Sequence, residues 1–345
     1  MRKHTVLRSR SESFSFIVEN RTIRMLLILL GLTALLFLTG LSVGSTFIHP
    51  IAVMKHLIGT NGEEHAFVIG TLRLPRMVLS MLAGMALGVA GLILQGIVRN
   101  PLASPDIVGI TGGASAAAVY VITFHSEISL KWVPLAAISG ACVVSLLMYA
   151  LARNNGVTPI RLVLIGIGIQ SLTSAAVTLM IVLSPTYSTS EAYIWLTGSV
   201  YGANWNHVMS LLPWVVIFVP LTFVLSRKLN VQELGDGVAL GLGAKVQRNR
   251  FALLLISVAL AGSAVAFAGA IGFVGLMAPH ISRMLAGRSF GSLVPVTALI
   301  GGMIVFMADT AARTLFLPLD LPAGVFVSGI GAPFFIYLLY RNRHQ

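Results

Sequence analysis

One stretch of this chain, Phe251–Ser282, runs for 32 residues without an aspartate, glutamate, lysine or arginine. A helix of that length measures about 48 Å, whereas a bilayer core about 30 Å thick is crossed by about 20 apolar residues. We therefore expect two spans that separate near residue 270, where Gly269, Gly272 and Gly275 can break the helix. Only 10% of the 345 residues are charged, against about 25% in soluble proteins, which excludes a soluble globular fold.

Similar apolar runs recur along the whole chain. Lipid offers no partner to backbone polar groups, so each run is predicted to be a helix. The fold class expected is an all-α integral membrane protein with about ten transmembrane helices. The predicted spans are 25–44, 77–98, 107–124, 132–152, 162–184, 207–226, 251–270, 272–287, 291–312 and 323–340. The first run is longer than the apolar core of a secretory signal, so we expect an uncleaved span.

The distribution of basic residues predicts how the spans are oriented. With the N-terminus in the cytoplasm, the cytoplasmic segments hold 18 of the 23 lysines and arginines and the outer segments hold five. This asymmetry follows the positive-inside rule. We predict a basic cytoplasmic segment (1–24), one transmembrane domain (25–340) and a cytoplasmic tail (341–345). The bases lie in short clusters between spans, so the net charge of +12 does not indicate nucleic-acid binding.

Small and charged residues within the spans predict packing contacts. Gly84 and Gly88 are four residues apart, a spacing that lets neighbouring helices approach closely. Asp309 and Arg313 lie four residues apart near the outer end of the ninth span and are expected to pair on one helix face. Cys142 is the single cysteine, and we interpret it as a buried structural thiol.

The sequence lacks the motifs of an enzyme. It contains no Gly-Lys dipeptide, and hence no nucleotide-binding loop of the Walker type. Its eight histidines are scattered, without the spacing of metal ligands. Carboxylates within the spans are too scarce to favour coupling to protons or sodium. We therefore predict neither catalytic residues nor a bound metal or cofactor, and expect energy to come from a partner.

A cytoplasmic loop, 227–250, is the candidate contact for that partner. It contains small and apolar residues that favour a short helix docking into a groove of another protein; the alternative is a helix lying on the bilayer surface. The candidate residues are Leu234, Gly235, Asp236, Gly237, Ala239, Leu240, Gly241 and Gly243.

Three arginines are predicted at the outer face: Arg73, Arg76 and Arg313. Arginine favours bidentate pairing with carboxylates, so we expect a fixed cationic patch that docks an acidic surface of an extracytoplasmic protein. The alternative is that these side chains reach the membrane interface without a partner.

An ordered set of short motifs resembles the family of iron-siderophore and cobalamin permeases of ATP-binding-cassette (ABC) importers. The matching segments are Arg73-Leu-Pro-Arg76, Gln95, Asn100-Pro-Leu-Ala103, Gly109, Gly272-Phe-Val-Gly-Leu-Met-Ala-Pro-His-Ile-Ser-Arg283, Ala308-Asp309, Arg313, Leu321-Pro-Ala-Gly324 and Gly331-Ala-Pro-Phe334. The motif residues singled out are Asn100, Pro101, Gly272, Gly275, Pro279, His280, Arg283, Asp309, Pro322 and Gly324. The resemblance as a whole covers roughly residues 60–340. One departure is Asp320, where members of the family often have glutamate.

The resemblance implies a type II ABC importer permease in a bacterial cytoplasmic membrane. Its expected partners are a second permease subunit (identical or related), two cytoplasmic ATPase subunits that bind ATP–Mg and dock on 227–250, and an extracytoplasmic binding protein. The fifth span and the segment 184–206 are expected to line and gate the path. Iron(III)–siderophore import is the first choice, with cobalamin or heme second. An ion-coupled secondary transporter and a membrane receptor or assembly subunit are the alternatives from other classes.

Overall fold

The computed structural model describes residues 4–8, 15–59, 63–125, 130–153 and 156–341. Two short antiparallel strands, β1 (His4–Arg8) and β2 (Ser15–Glu19), precede the first helix. The helices are α1 (Asn20–Ser42), α2 (Pro50–Ile58), α3 (Glu63–Phe67), α4 (Leu74–Val98), α5 (Ile110–Phe124), α6 (Val133–Ala152), α7 (Pro159–Val182), α8 (Thr186–Thr197), α9 (Trp205–Val224), α10 (Ser226–Glu233), α11 (Asp236–Gly241), α12 (Val246–Ala268), α13 (Val274–Ala286), α14 (Phe290–Thr314) and α15 (Ala323–Arg341). A π-helical segment, Val68–Arg73, joins α3 to α4.

Eight helical segments of the described chain are long and apolar enough to cross a membrane, and they coincide with eight of the ten predicted spans. One of them is the continuous segment His65–Val98, which includes α4. The other seven are α1, α6, α7, α9, α12, α14 and α15. The predicted helical membrane architecture is therefore confirmed. The strand pair is an addition that the sequence did not indicate, and α1 begins at Asn20 rather than at Met25.

The two remaining predicted spans, 107–124 and 272–287, each contain a shorter helix preceded by irregular backbone. α5 has 15 residues and α13 has 13. At 1.5 Å per residue they measure about 22 Å and 20 Å, less than the roughly 30 Å of a hydrocarbon core. Irregular backbone at 99–109 and 269–273 precedes these helices. Such backbone is stable at membrane depth where it is buried in protein or lines an aqueous cavity.

The predicted break near residue 270 is confirmed. α12 ends at Ala268, and Gly269 (φ 70°) and Phe273 (φ 65°) turn the chain before α13 begins. The left-handed conformation costs a residue with a side chain about 1–2 kcal/mol, so the surroundings of Phe273 must hold it there. One such contact is with α15, where a Cβ added to Gly331 would lie 2.5 Å from the Phe273 Cβ.

The helix α4 forms the centre of the bundle and packs against α12, α13 and α14. The most apolar stretch of its span is 89% buried, against 22% for α1 and α9, which places those two helices at the periphery. The close approach predicted for Gly84 is confirmed, because a Cβ added there would lie 2.1 Å from the carbonyl oxygen of Gly301. A Cβ on Gly91 would lie 1.9 Å from the carbonyl oxygen of Gly275. Any side chain at these positions would overlap the backbone of a neighbouring helix.

Candidate functional site

A cavity of about 540 Å³ with a mixed apolar and polar lining lies among α5, α7, α13 and α15. Asp106 and Gln170 contribute a carboxylate and an amide to its wall. The other polar lining residues all carry hydroxyl groups: Ser104, Thr111, Ser115, Thr173, Ser174, Thr178 and Ser328. A hydroxyl can both donate and accept hydrogen bonds. The wall therefore offers a polar molecule several hydroxyl groups, one amide and one carboxylate among apolar side chains.

Both irregular segments contribute to this wall, and Asp106 connects them. Its carboxylate lies beside two hydrogen-bond donors, the Thr111 hydroxyl and the backbone N–H of Phe273. The Oδ2 atom lies 3.8 Å from the Cβ that a side chain at Gly272 would add. Because the loop 99–109 and the break before α13 meet at this carboxylate, we infer that Asp106 helps to hold Phe273 in its left-handed conformation. The sequence indicated only a proline-rich turn here.

The predicted fifth span supplies much of the cavity wall. Gln170, Thr173, Ser174, Val177 and Thr178 all come from α7. One further lining residue, Leu196 on α8, comes from the segment 184–206. The expected role of these two segments in lining and gating a path stays a prediction.

Arg76, near the start of α4, is the centre of a buried ion cluster. It donates to Asp309 Oδ1 at 2.7 and 2.9 Å and to the two carboxylate oxygens of Asp320 at 2.6 and 2.8 Å. The Asp309 side chain is 1% exposed and that of Asp320 is 27% exposed. The expected pairing of Asp309 with Arg313 is therefore replaced by a pairing with Arg76, whose planar fork reaches both carboxylates at once.

Arg73 and Arg313 hold the end of α1. Arg73 donates to the carbonyl oxygens of Leu41, at 2.6 Å, and of Thr46, and Arg313 donates to that of Gly40 at 2.6 Å. The last carbonyl groups of a helix lack intrahelical partners and are favourable sites for cations.

Arg73, Arg76 and Arg313 are only 5%, 8% and 8% exposed, so little of the predicted cationic patch faces solvent. Their guanidinium groups are directed to internal carboxylates and carbonyl groups rather than to solvent. Docking of a partner by these arginines stays a prediction, and it now requires that the partner displace internal acceptors.

The candidate coupling loop lies at the other end of α4. Arg76 and Arg99 are separated by about 35 Å along this helix at 1.5 Å per residue, and Arg99 bonds Asp236 at 2.5 Å. The predicted short helix is present as α11, which begins after Gly235 (φ 99°) and is followed by Gly243 (φ 78°). Gly237 and Gly241 have open space around them.

The loop presents an apolar surface that faces away from the bundle. Leu234 and Leu240 are 59% and 61% exposed, and Val238 and Leu242, which were not among the candidate residues, are 54% and 64% exposed. Ala239 is fully buried and faces the protein. An exposed apolar surface rimmed by polar residues is typical of an interaction site.

Most of the remaining motif residues take part in packing. Asn100 accepts a hydrogen bond from the Leu102 backbone N–H at 2.9 Å in an exposed turn that includes Pro101, and Pro279 is buried within α13. The His280 ring meets Phe334 edge-on at 5.6 Å. Pro322 directly precedes α15, and the Gly324 N–H donates to Gly198 at 3.0 Å.

Arg283 bonds to Gln95 on α4, and Gln95 in turn donates to the Gly275 carbonyl oxygen at 3.3 Å. Nearby, burial raises the pKa of the Glu233 carboxyl, while the positive charges of Arg283 and Arg288 act to lower it. These contacts join the ends of α4, α10 and α13. Among the described residues, no group of three or more histidines, cysteines or carboxylates is placed to hold a metal ion.

Comparison with known proteins extends these local features to the whole chain. The sequence matches the FecCD transport family over residues 32–341. It is 50% identical over 325 residues to the probable siderophore transport system permease protein YfhA of Bacillus subtilis, covering 92% of this chain and 95% of the relative. It is 48% identical over 340 residues to the achromobactin transport system permease protein CbrC of Dickeya dadantii, covering 98% and 97%.

The fold also matches a solved structure. An ABC transporter of the metal-chelate type, in an inward-facing conformation, superposes with a TM-score of 0.81 at 30% identity. The superposition covers 92% of this chain and 99% of the other. Both the sequence and the fold are therefore shared over nearly the full length of the relatives.

Proposed function

The chain belongs to the FecCD transport family, and from that premise we propose that it carries iron(III)–siderophore complexes across the bacterial cytoplasmic membrane. Its relatives are permease subunits of ABC importers, and this multi-pass membrane chain is a subunit of the same kind. ATP hydrolysis in such importers is carried out by a separate partner. The resemblance read from the sequence motifs is thereby confirmed.

The cavity is the observation that carries the proposal. It lies where the irregular segments 99–109 and 269–273 precede α5 and α13, and hydroxyl groups are the most numerous polar groups of its wall. A wall of apolar side chains with scattered hydroxyl groups and a single carboxylate suits a large hydrated chelate, which must pass without being retained. The relatives named for siderophores and for achromobactin favour iron chelates over cobalamin or heme as the cargo.

We extend the proposal to the partners that the family implies. A second permease subunit completes the path, two ATPase subunits bind ATP–Mg and contact the exposed apolar residues of 227–250, and a binding protein delivers cargo at the opposite face. Asp320 is the more accessible of the two acids paired with Arg76. Acidic groups of a binding protein that compete for Arg76 would therefore contact the Arg76–Asp320 pair before the Arg76–Asp309 pair.

The mechanism proposed is alternating access. Closure of the ATPase subunits displaces the coupling loop, and the two permease subunits rock about the cavity. This chain's contribution is to keep the irregular segments hydrogen-bonded during that motion, because backbone groups left unpaired at membrane depth are costly.

Uptake in a deletion strain tests the cargo. Cells lacking this gene are given radioiron on several siderophores, labelled cobalamin and labelled heme. We expect loss of at least one ferric-siderophore flux, restored by the gene. Intact iron uptake with loss of cobalamin or heme uptake would replace the cargo but keep the importer. Uptake by the chain in liposomes without an ATPase, driven by a proton or sodium gradient, would instead establish a secondary transporter.

A bulky side chain in the cavity is expected to block the flux. Ser174→Trp places a large ring at the cavity wall, and we expect uptake to fall about tenfold or more because steps of passage commonly limit turnover. Leu172→Trp is the matched control, because Leu172 lies on the same helix, is 67% exposed and is not a lining residue. Equal uptake by the two variants at equal protein levels would remove the cavity from the path.

A further inference from the structure

One carboxylate joins the ends of three helices at the coupling loop. Asp236 is the first residue of α11. It accepts hydrogen bonds from Arg99, which directly follows α4, at 2.5 Å, and from Arg250, the fifth residue of α12, at 2.8 and 3.1 Å. Any displacement of α11 must therefore either carry these two arginines with it or break its bonds to them.

Arg250 continues the connection inward. Its side chain is 1% exposed, and its second terminal nitrogen donates to the carbonyl oxygen of Val157. Gln247 holds the same residue from both sides: it accepts from the Val157 N–H at 3.0 Å and donates to the Val157 carbonyl oxygen at 3.2 Å. Val157 is itself buried, with 1% exposure. The guanidinium thus connects Asp236 directly to a fixed backbone position.

Val157 stands two residues before the start of α7 at Pro159. The linking residue Thr158 is extended, with φ −105° and ψ 151°, and its carbonyl oxygen accepts the first backbone bond of the helix, from Leu162. Five residues of α7, from Gln170 onward, line the cavity. A series of hydrogen bonds therefore connects α11 to the start of α7, and the helix itself continues from there to the cavity wall.

The two sides of α11 are suited to different tasks. The apolar residues Leu234 and Leu240 are exposed, whereas Asp236 and Ala239 face the protein. The Asp236–Arg99 pair is partly exposed, at 32% and 29%, and pairs of this kind contribute little to stability. Arg250 is buried and uses one terminal nitrogen for Asp236 and the other for Val157, so its planar guanidinium group fixes the distance between these two partners.

We propose that Asp236 is a positioning residue for the transport step: it transmits displacement of α11 to α7 through Arg250 and Val157. The inference rests on the proposed function, in which α11 receives the ATPase. In this arrangement the exposed apolar residues of the loop bind the ATPase, and Asp236 transmits the resulting displacement of α11 to the helix that lines the cavity.

The test uses the complete transporter in proteoliposomes with its ATPase and binding protein. ATP hydrolysis and uptake of radioiron, on the siderophore that the deletion strain identifies, are measured in the same vesicles. For Asp236→Asn, which keeps the shape but removes the charge, we expect the ATPase to copurify and hydrolyse ATP while uptake per ATP falls about tenfold, a typical size for coupling between sites. Asp236→Glu is expected to restore part of the ratio.

An unchanged ratio in Asp236→Asn would overturn the inference, and so would loss of the ATPase from that variant, because Asp236 would then act in docking. If the asparagine variant does not accumulate, Arg250→Lys replaces it; lysine keeps the charge but lacks the fork that bonds Asp236 and Val157 together, and the same fall is expected. Leu240→Asp separates the two proposals. If it leaves the ATPase attached, the contact assigned to α11 is wrong, whatever Asp236 does.

Discussion

Replacement of Arg76 by methionine is expected to destabilise the protein by about 3–5 kcal/mol, the cost of leaving a buried charge without its partner. Asp309 is 1% exposed and pairs with Arg76, so the variant strands a carboxylate among α4, α14 and the end of α1. Unfolding is followed in detergent with a thiol-reactive fluorophore, because the chain has one cysteine, Cys142, and it is partly buried. The midpoint temperature is expected to fall sharply.

Two variants control this experiment. Arg153→Met removes an exposed arginine and is expected to leave the midpoint nearly unchanged. Combining Arg76→Met with Asp309→Asn removes both charges and should recover part of the loss. A midpoint for Arg76→Met equal to that of Arg153→Met would contradict the ion cluster. The burial also means that a charge reversal such as Arg76→Glu tests folding before it tests docking.

Replacement of Gly91 by valine is expected to prevent normal assembly of the bundle. The Cβ alone would lie 1.9 Å from the carbonyl oxygen of Gly275, which is backbone and cannot rotate away. Overpacking a core with flexible neighbours costs about 1–3 kcal/mol; here α4 and α13 must separate, so we expect a larger loss. The measurement is the amount of monodisperse protein extracted from membranes.

Gly31→Val is the matched control, because Gly31 also lies within a transmembrane helix, α1, and has open space where a Cβ would stand. Its yield is expected to equal that of the unmodified protein. A normal yield for Gly91→Val would show that α4 and α13 are farther apart than the structure places them.

The sequence predicts the helices well because membrane helices depend on local composition. Eight of the predicted spans coincide with long apolar helices in the structure, and the break near residue 270 follows from the length of the run and its glycines. The close packing at Gly84 is likewise a local signal, since the spacing of small residues specifies a helix face. Helix ends are shifted by several residues, as at Asn20, because the polar residues that begin a helix carry no hydropathy signal.

The sequence does not predict features that depend on distant partners. Arg73 and Arg76 have the sequence pattern of exposed arginines, yet their acceptors lie on α1, α14 and the segment before α15. The sequence does not predict the cavity for the same reason, because the hydroxyl residues in its wall come from several separate segments of the chain. α8 has no apolar periodicity, since serine and threonine dominate its first half, Thr186–Glu191, and only the folded structure reveals it.

The ion cluster around Arg76 has a consequence for the order of biosynthesis. Arg76 and Asp309 are 233 residues apart in the chain, and at roughly 5–20 residues per second a ribosome needs roughly 12–47 s to travel between them. During that interval α4 must reside in the membrane without its ionic partner, and the long side chain can keep its charge at the lipid–water interface. The arrival of α14 ends this interval. The central helix α4 is therefore synthesised early, but its ionic contact with α14 forms only late in synthesis.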